Sequence, residues 1–70
     1  MLPHELSRIL MDYIGARGFT VSEILRRANI SYYRFRICLK DPMRFALGEL
    51  LRLFDVLQMY PEDRAKFIVF

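Results

Sequence analysis

The stretch Phe19-Thr20-Val21-Ser22-Glu23-Ile24-Leu25-Arg26-Arg27-Ala28-Asn29-Ile30-Ser31-Tyr32-Tyr33-Arg34-Phe35-Arg36-Ile37-Cys38-Leu39-Lys40 holds two helix starts in close succession. Thr20-Val21-Ser22-Glu23 has the form of a capping box, in which the Thr20 hydroxyl accepts from the Glu23 N–H and the Glu23 side chain reaches back to Thr20. Phe19 and Ile24 flank it at the spacing of a hydrophobic staple, which predicts a helix over 21–28. Asn29 stands where a tight turn needs a residue tolerant of the left-handed region. Ser31 can then cap a new helix, with Ile30 and Phe35 as a second staple. The expected third helix spans 32–40, with Phe35, Cys38 and Leu39 turned inward and Tyr32, Tyr33, Arg36 and Ile37 outward. Asp41-Pro42 stops it, because proline disfavours helix at the residue before it.

Outward from this pair, Leu6, Ile9, Leu10, Tyr13 and Ile14 recur with the period of one helix face, which predicts a first helix over about 3–16. Pro3 suits its first turn and Gly18 its exit. A fourth helix is expected over about 46–58, with Leu47, Leu50, Leu51, Phe54 and Leu57 on one stripe. Tyr60-Pro61-Glu62-Asp63 opens a fifth, over about 61–67, with proline in the first turn and two acids complementing the helix dipole. Four apolar residues with β-propensity, Phe67, Ile68, Val69 and Phe70, close the chain. The reading is all-α: a compact bundle of about five short helices in a single domain, 1–70.

Seventy residues leave room for one small core. A hydrophobic content of 54% is too high for a disordered tail and high enough to leave apolar surface for another subunit, so a homodimer is expected. One cysteine cannot close an internal disulfide, and one Cys with one His falls short of a zinc ligand set. The opening Met1-Leu2-Pro3-His4-Glu5 lacks a basic leader, and charges interrupt every apolar run well before about 18 residues. A soluble, cytoplasmic protein without membrane span, metal or cofactor is expected. No Ser-His-Asp, Cys-His, paired-carboxylate or phosphate-loop arrangement can be assembled, so an enzyme is not expected. The formal charge of +3 is unevenly placed. Residues 1–31, 32–44 and 45–70 carry +1, +3 and −1, so the surplus falls on the third helix and the few residues after it.

Two short helices joined by a three-residue turn, within five, are the arrangement of a helix-turn-helix domain. The sequence resembles the phage repressor and Cro family, in a lambda-repressor-like register that runs from Phe19 to about Lys66 without a gap. The family opens its second helix with Leu-Thr or Leu-Ser and a Glu shortly after; here stand Phe19, Thr20 and Glu23. Its Leu-Ala pair becomes Ile24-Leu25, and its turn Gly-Val-Ser becomes Asn29-Ile30-Ser31. Its leucine run ending in Leu-Gly-Val matches Leu47, Leu50, Leu51, Leu53 and Leu57-Gln58-Met59. The chain departs from the family at Leu25, where a small residue is usual, and at Val21, where a Gln commonly touches a phosphate. Ile14 and Leu39 stand where relatives often bury an Arg–Glu pair.

The resemblance implies a sequence-specific double-stranded DNA-binding transcriptional regulator with helix 32–40 in the major groove. Tyr32, Tyr33, Arg36 and Ile37 would face the bases, with Arg36 able to donate two hydrogen bonds to guanine. Ser31, Arg34, Lys40 and Arg44 would contact phosphates. Useful specificity implies a two-fold dimer. Its contact is expected in Phe67, Ile68, Val69 and Phe70, the alternative being that these residues cap the monomer's own core. A second reading stays open: an aromatic patch with polar tips also suits a protein interface, so the same domain can serve as a protein-protein interaction module without DNA binding. Arg26 and Arg27 read as solvated charges, the alternative being contact with the DNA backbone, Cys38 as a small core residue, and Met11, Met43 and Met59 as fillers of core or interface gaps.

Overall fold

A computed structural model describes residues 2–68. Thr20 accepts the Glu23 N–H at 3.2 Å and Ser31 accepts the Arg34 N–H at 3.1 Å, so both expected caps form. They open α2, Val21–Ala28, and α3, Tyr32–Lys40, at the expected bounds. The turn between them adopts the conformation the sequence asks for: Asn29 takes φ 55°, in the left-handed region. Its N–H donates to Arg26 O, and the Ile30 N–H donates back to Leu25 O at 3.0 Å. This pair of bonds is a Schellman closure, with buried Ile30 and Leu25 as its hydrophobic contact.

The remaining helices are α1, Pro3–Arg17, α4, Leu47–Leu57, and α5, Pro61–Ala65, with a short 3-10 turn at Pro42–Arg44 between α3 and α4. Among the described residues the fold is all-α, with five α-helices packed around one core of Leu6, Leu10, Ile24, Phe35, Cys38, Leu53, Phe54 and Leu57 and their neighbours. Ile14 is buried in it and Leu39 packs half-buried against it, an apolar arrangement that avoids the desolvation cost of a buried ion pair. None of these helices is long and apolar enough to cross a membrane.

Several expectations are corrected. Ala46 and Gln58, placed inside the fourth helix, are its caps. The fifth helix ends at Ala65 because its next turn tightens: Lys66, Phe67 and Ile68 each donate to the carbonyl three residues back. On α4 the apolar arc is wider than the core it covers. The buried side chains are Leu50, Leu53, Phe54 and Leu57, while Leu47 and Leu51 are 57% and 48% exposed. Phe67, expected in a dimer contact, is 2% exposed and packs edge-on against Phe54 with ring centroids 5.9 Å apart. Ile68 lies half-buried against the same core, so both residues cap this chain's own interior. Val69 and Phe70, the rest of that expected contact, lie outside the described residues. Met59 fills the core, whereas Met11 and Met43 are exposed.

Arginines tie the helix ends together. Arg17 of α1 donates from Nε to Leu57 O at 2.9 Å and reaches Gln58 O, at the C-terminus of α4. Arg64 of α5 donates to Met59 O at 2.7 Å and to Phe54 O at 3.3 Å. Arg52 of α4 donates to Ala28 O at 2.6 Å, at the end of α2. Each places a cation where helix carbonyls have lost their intrahelical partners and where the dipole is negative. Tyr13 joins α1 to the start of α5: its hydroxyl donates to the Asp63 carboxylate and accepts the Tyr60 N–H at 3.1 Å.

Gln58 closes α4 with the same Schellman pattern as Asn29 closes α2, at φ 49°. A Cβ is unfavourable in that region, and of the Arg17 contacts only the long, exposed one from Nη1 to Gln58 Oε1 at 3.5 Å depends on the side chain. Gln58→Gly is expected to stabilise the protein by about 1 kcal/mol, raising its Tm by about 4–8 °C. A thermal melt that does not move, or moves down, would contradict strain at this position.

Candidate nucleic-acid interface

Helix α3 has two faces. Phe35 and Cys38 are buried, and burial raises the Cys38 thiol above its ordinary pKa, so it behaves as a small apolar side chain. On the other side, Tyr32, Tyr33, Arg36, Ile37 and Lys40 follow one another at helical spacing. Tyr32 and Tyr33 are 63% and 74% exposed. Arg36 and Lys40 are exposed and, among the described residues, neither has a hydrogen-bond or ion-pair partner. Ile37 is half-buried and forms a shallow groove with Tyr33, Arg36 and Lys40. Five of the expected site residues thus share one outward surface.

The other three are placed differently. Ser31 is exposed at the N-cap, with its oxygen engaged by the Arg34 N–H. Arg34 points away from this surface. Its guanidinium makes a fork with Glu49 of α4, Nη2 to Oε1 at 2.7 Å and Nε to Oε2 at 3.3 Å, and Nη2 also donates to Arg44 O. The fork ties α3 to α4 and engages the guanidinium that the resemblance assigns to a phosphate. Arg44 is exposed, with Asp41 at 4.0 Å, and sits on the 3-10 turn beyond the end of α3. Of the four cations in residues 32–44, Arg36 and Lys40 are the ones left fully available to a polyanion.

A second depression lies between α2 and α3, lined by Val21, Ser22, Leu25, Arg26, Ile30 and Tyr32. It brings exposed Arg26 and Ser22 beside Tyr32, a grouping that the sequence pattern did not single out. The signal was present: Ser22 and Arg26 are four residues apart and so share a face of α2. Arg27, its neighbour, is turned aside, with its guanidinium 4.4 Å from the Phe19 ring centroid.

Glu49 accepts the Arg34 fork and also the Ala46 N–H at 2.8 Å. Hydrogen bonding from Arg34 is the main reason that its carboxyl is held below the ordinary value. Among the described residues, no group of three or more His, Cys, Asp or Glu is placed to hold a metal ion. Compared with sequence models of protein families, with curated proteins and with solved structures, the chain matches none.

A lowered pKa in the folded state means that the folded protein releases the Glu49 proton more readily than the unfolded chain. The resulting stabilisation is present above the unfolded carboxylate value and is lost as pH falls through the folded one. Between neutral pH and pH ~3 the Tm of the protein is expected to drop. Glu49→Gln should melt lower at neutral pH and show a shallower drop, the remainder reflecting Asp63, held low mainly by its bond from Tyr13. Identical pH profiles for both proteins would mean that the fork contributes nothing.

Proposed function

We propose that this chain is a sequence-specific double-stranded DNA-binding transcriptional regulator of the phage repressor and Cro type, acting in the cytoplasm as a homodimer with α3 in the major groove. The observation that carries this reading is that Arg36 and Lys40 are left available on the exposed face of α3. Arg17, Arg52 and Arg64 are tied to helix carbonyls and Arg34 to Glu49, whereas Arg36 and Lys40 stand unpaired on the exposed face of α3 between tyrosines and Ile37. The short joint Asn29-Ile30-Ser31 between α2 and α3 supports this reading, since a helix-turn-helix presents its second helix after such a turn.

In this reading Arg36 donates its two parallel N–H groups to guanine O6 and N7, and Ile37 packs on a neighbouring base. Tyr32 and Tyr33 give their hydroxyls to phosphates or lay their rings on thymine methyls. Lys40 contacts phosphate, and Arg26 with Ser22 extends that contact to α2. Exposed tyrosines beside an aliphatic side chain also support the second reading, a protein-docking surface without DNA binding.

Titration of the purified chain with random-sequence duplex DNA from low to physiological salt separates the two. Affinity that falls steeply with salt is expected, because phosphate contacts release counterions. On a selected operator, Arg36→Ala should cost about 1–3 kcal/mol and relax sequence choice. Lys40→Ala should weaken all sequences alike and reduce the salt slope by about 1. Arg34→Ala should lower the Tm. Absence of binding at low salt would overturn the DNA reading in favour of protein docking.

A further inference from the structure

Leu47 and Leu51 are one helical turn apart on α4 and lie outside the core, each about half exposed or more. Gly48 stands in the same first turn. A Cβ added there would meet only the tip of the flexible Arg52 side chain, at 3.3 Å, so among the described residues nothing rigid requires a glycine at that position. Gly48 is the second residue of α4, and without a Cβ it lets another backbone approach closely.

Glu49 in the first turn of α4 suits the helix dipole and accepts the Ala46 N–H, but two features of the helix ends are unfavourable. Ala46 gives the N-terminus no side-chain cap, leaving the first amide groups without a carboxylate or hydroxyl acceptor at the N-cap position. Asp55 sits near the C-terminus, where the dipole disfavours an anion; it is 81% exposed, with Arg64 Nη1 at 3.5 Å on one side. Both defects are removed together if a second α4 lies antiparallel to the first. With Leu47 of one copy against Leu51 of the other, Asp55 lies about 6 Å further along and reaches the positive first turn of the second helix, beside its exposed Arg44.

We propose that a second copy of this chain docks on α4 through Leu47, Gly48 and Leu51, as a two-fold antiparallel helix pair closed at each end by Asp55 of one copy and Arg44 of the other. The surface is compatible with the α3 face remaining free. At 3.6 residues per turn, Leu47 and Leu51 are each roughly 160° from Glu49, the residue to which α3 is tied through Arg34. The inference deepens the regulator reading by naming the surface through which its dimer forms. One short helix pair is at the low end of specific interfaces, so the dimer is concentration-dependent.

The test is sedimentation equilibrium of the full chain from micromolar to millimolar concentration. The average mass should rise from 8.4 kDa towards twice that value. Leu47→Glu and Leu51→Glu should hold it at the monomer mass with unchanged far-ultraviolet circular dichroism. Asp55→Arg should weaken the dimer about tenfold or more, and adding Arg44→Glu should restore it, a recovery that loss of folding cannot mimic. A wild-type monomer at millimolar concentration, a dimer indifferent to both leucine variants, or a failure of the charge exchange to restore association would overturn the proposal. The DNA reading fails separately: a monomer that binds duplex with a steep salt slope leaves that reading intact, and a dimer that binds no duplex removes it while keeping the interface.

Discussion

Everything on the outer face of α3 depends on the left-handed turn at Asn29. One residue at φ 55° lets the Ile30 N–H reach back to Leu25 O and drives Ile30 into the core, after which Ser31 can start a new helix. Leu25 and Ile30 are both buried at the closure, which anchors the start of α3 to the core. From that anchor Phe35 and Cys38 face inward and Tyr33, Arg36 and Lys40 face out. The exposure of the candidate interface is a consequence of backbone geometry a few residues before it.

A small core gains from tying its helix ends, since each end leaves backbone groups without intrahelical partners. This chain does so with arginine, whose planar guanidinium can bridge adjacent carbonyls or fork onto a carboxylate. Arg17 and Arg64 approach the end of α4 from α1 and α5, and Arg52 leaves α4 to close α2. The net charge of +3 therefore describes the surface poorly. Several cations are occupied in architecture, so a count of charges does not say where free charge lies. Arg34 illustrates the distinction: it lies two residues from Arg36, yet one closes the joint between α3 and α4 while the other faces solvent.

Helix α4 carries two kinds of apolar side chain that composition cannot distinguish. Leu50, Leu53 and Leu57 form core, and Leu47 and Leu51 form surface. The antiparallel pairing proposed for that surface would place the exposed leucines, the helix start that lacks a side-chain N-cap and the ill-placed Asp55 in one self-complementary arrangement. It would also assign the excess of apolar residues to α4 rather than to the C-terminal segment, whose Phe67 belongs to the core.

Local physics made much of the fold legible. Helices α2 and α3 could be read to the residue because their caps, Thr20 and Ser31, their staples and the Asn29 turn act within a few residues of one another. The outward placement of Tyr32, Tyr33 and Arg36 followed from the 3.6-residue period alone. What sequence could not show is anything decided by a partner distant in the chain. The selection of Arg34 by Glu49, the capture of Phe67 by Phe54 and the split of the α4 leucines each depend on how far neighbouring helices reach around the core. A side chain's periodicity names its direction on its own helix, but whether that direction meets protein or water is settled only when the other helices are in place.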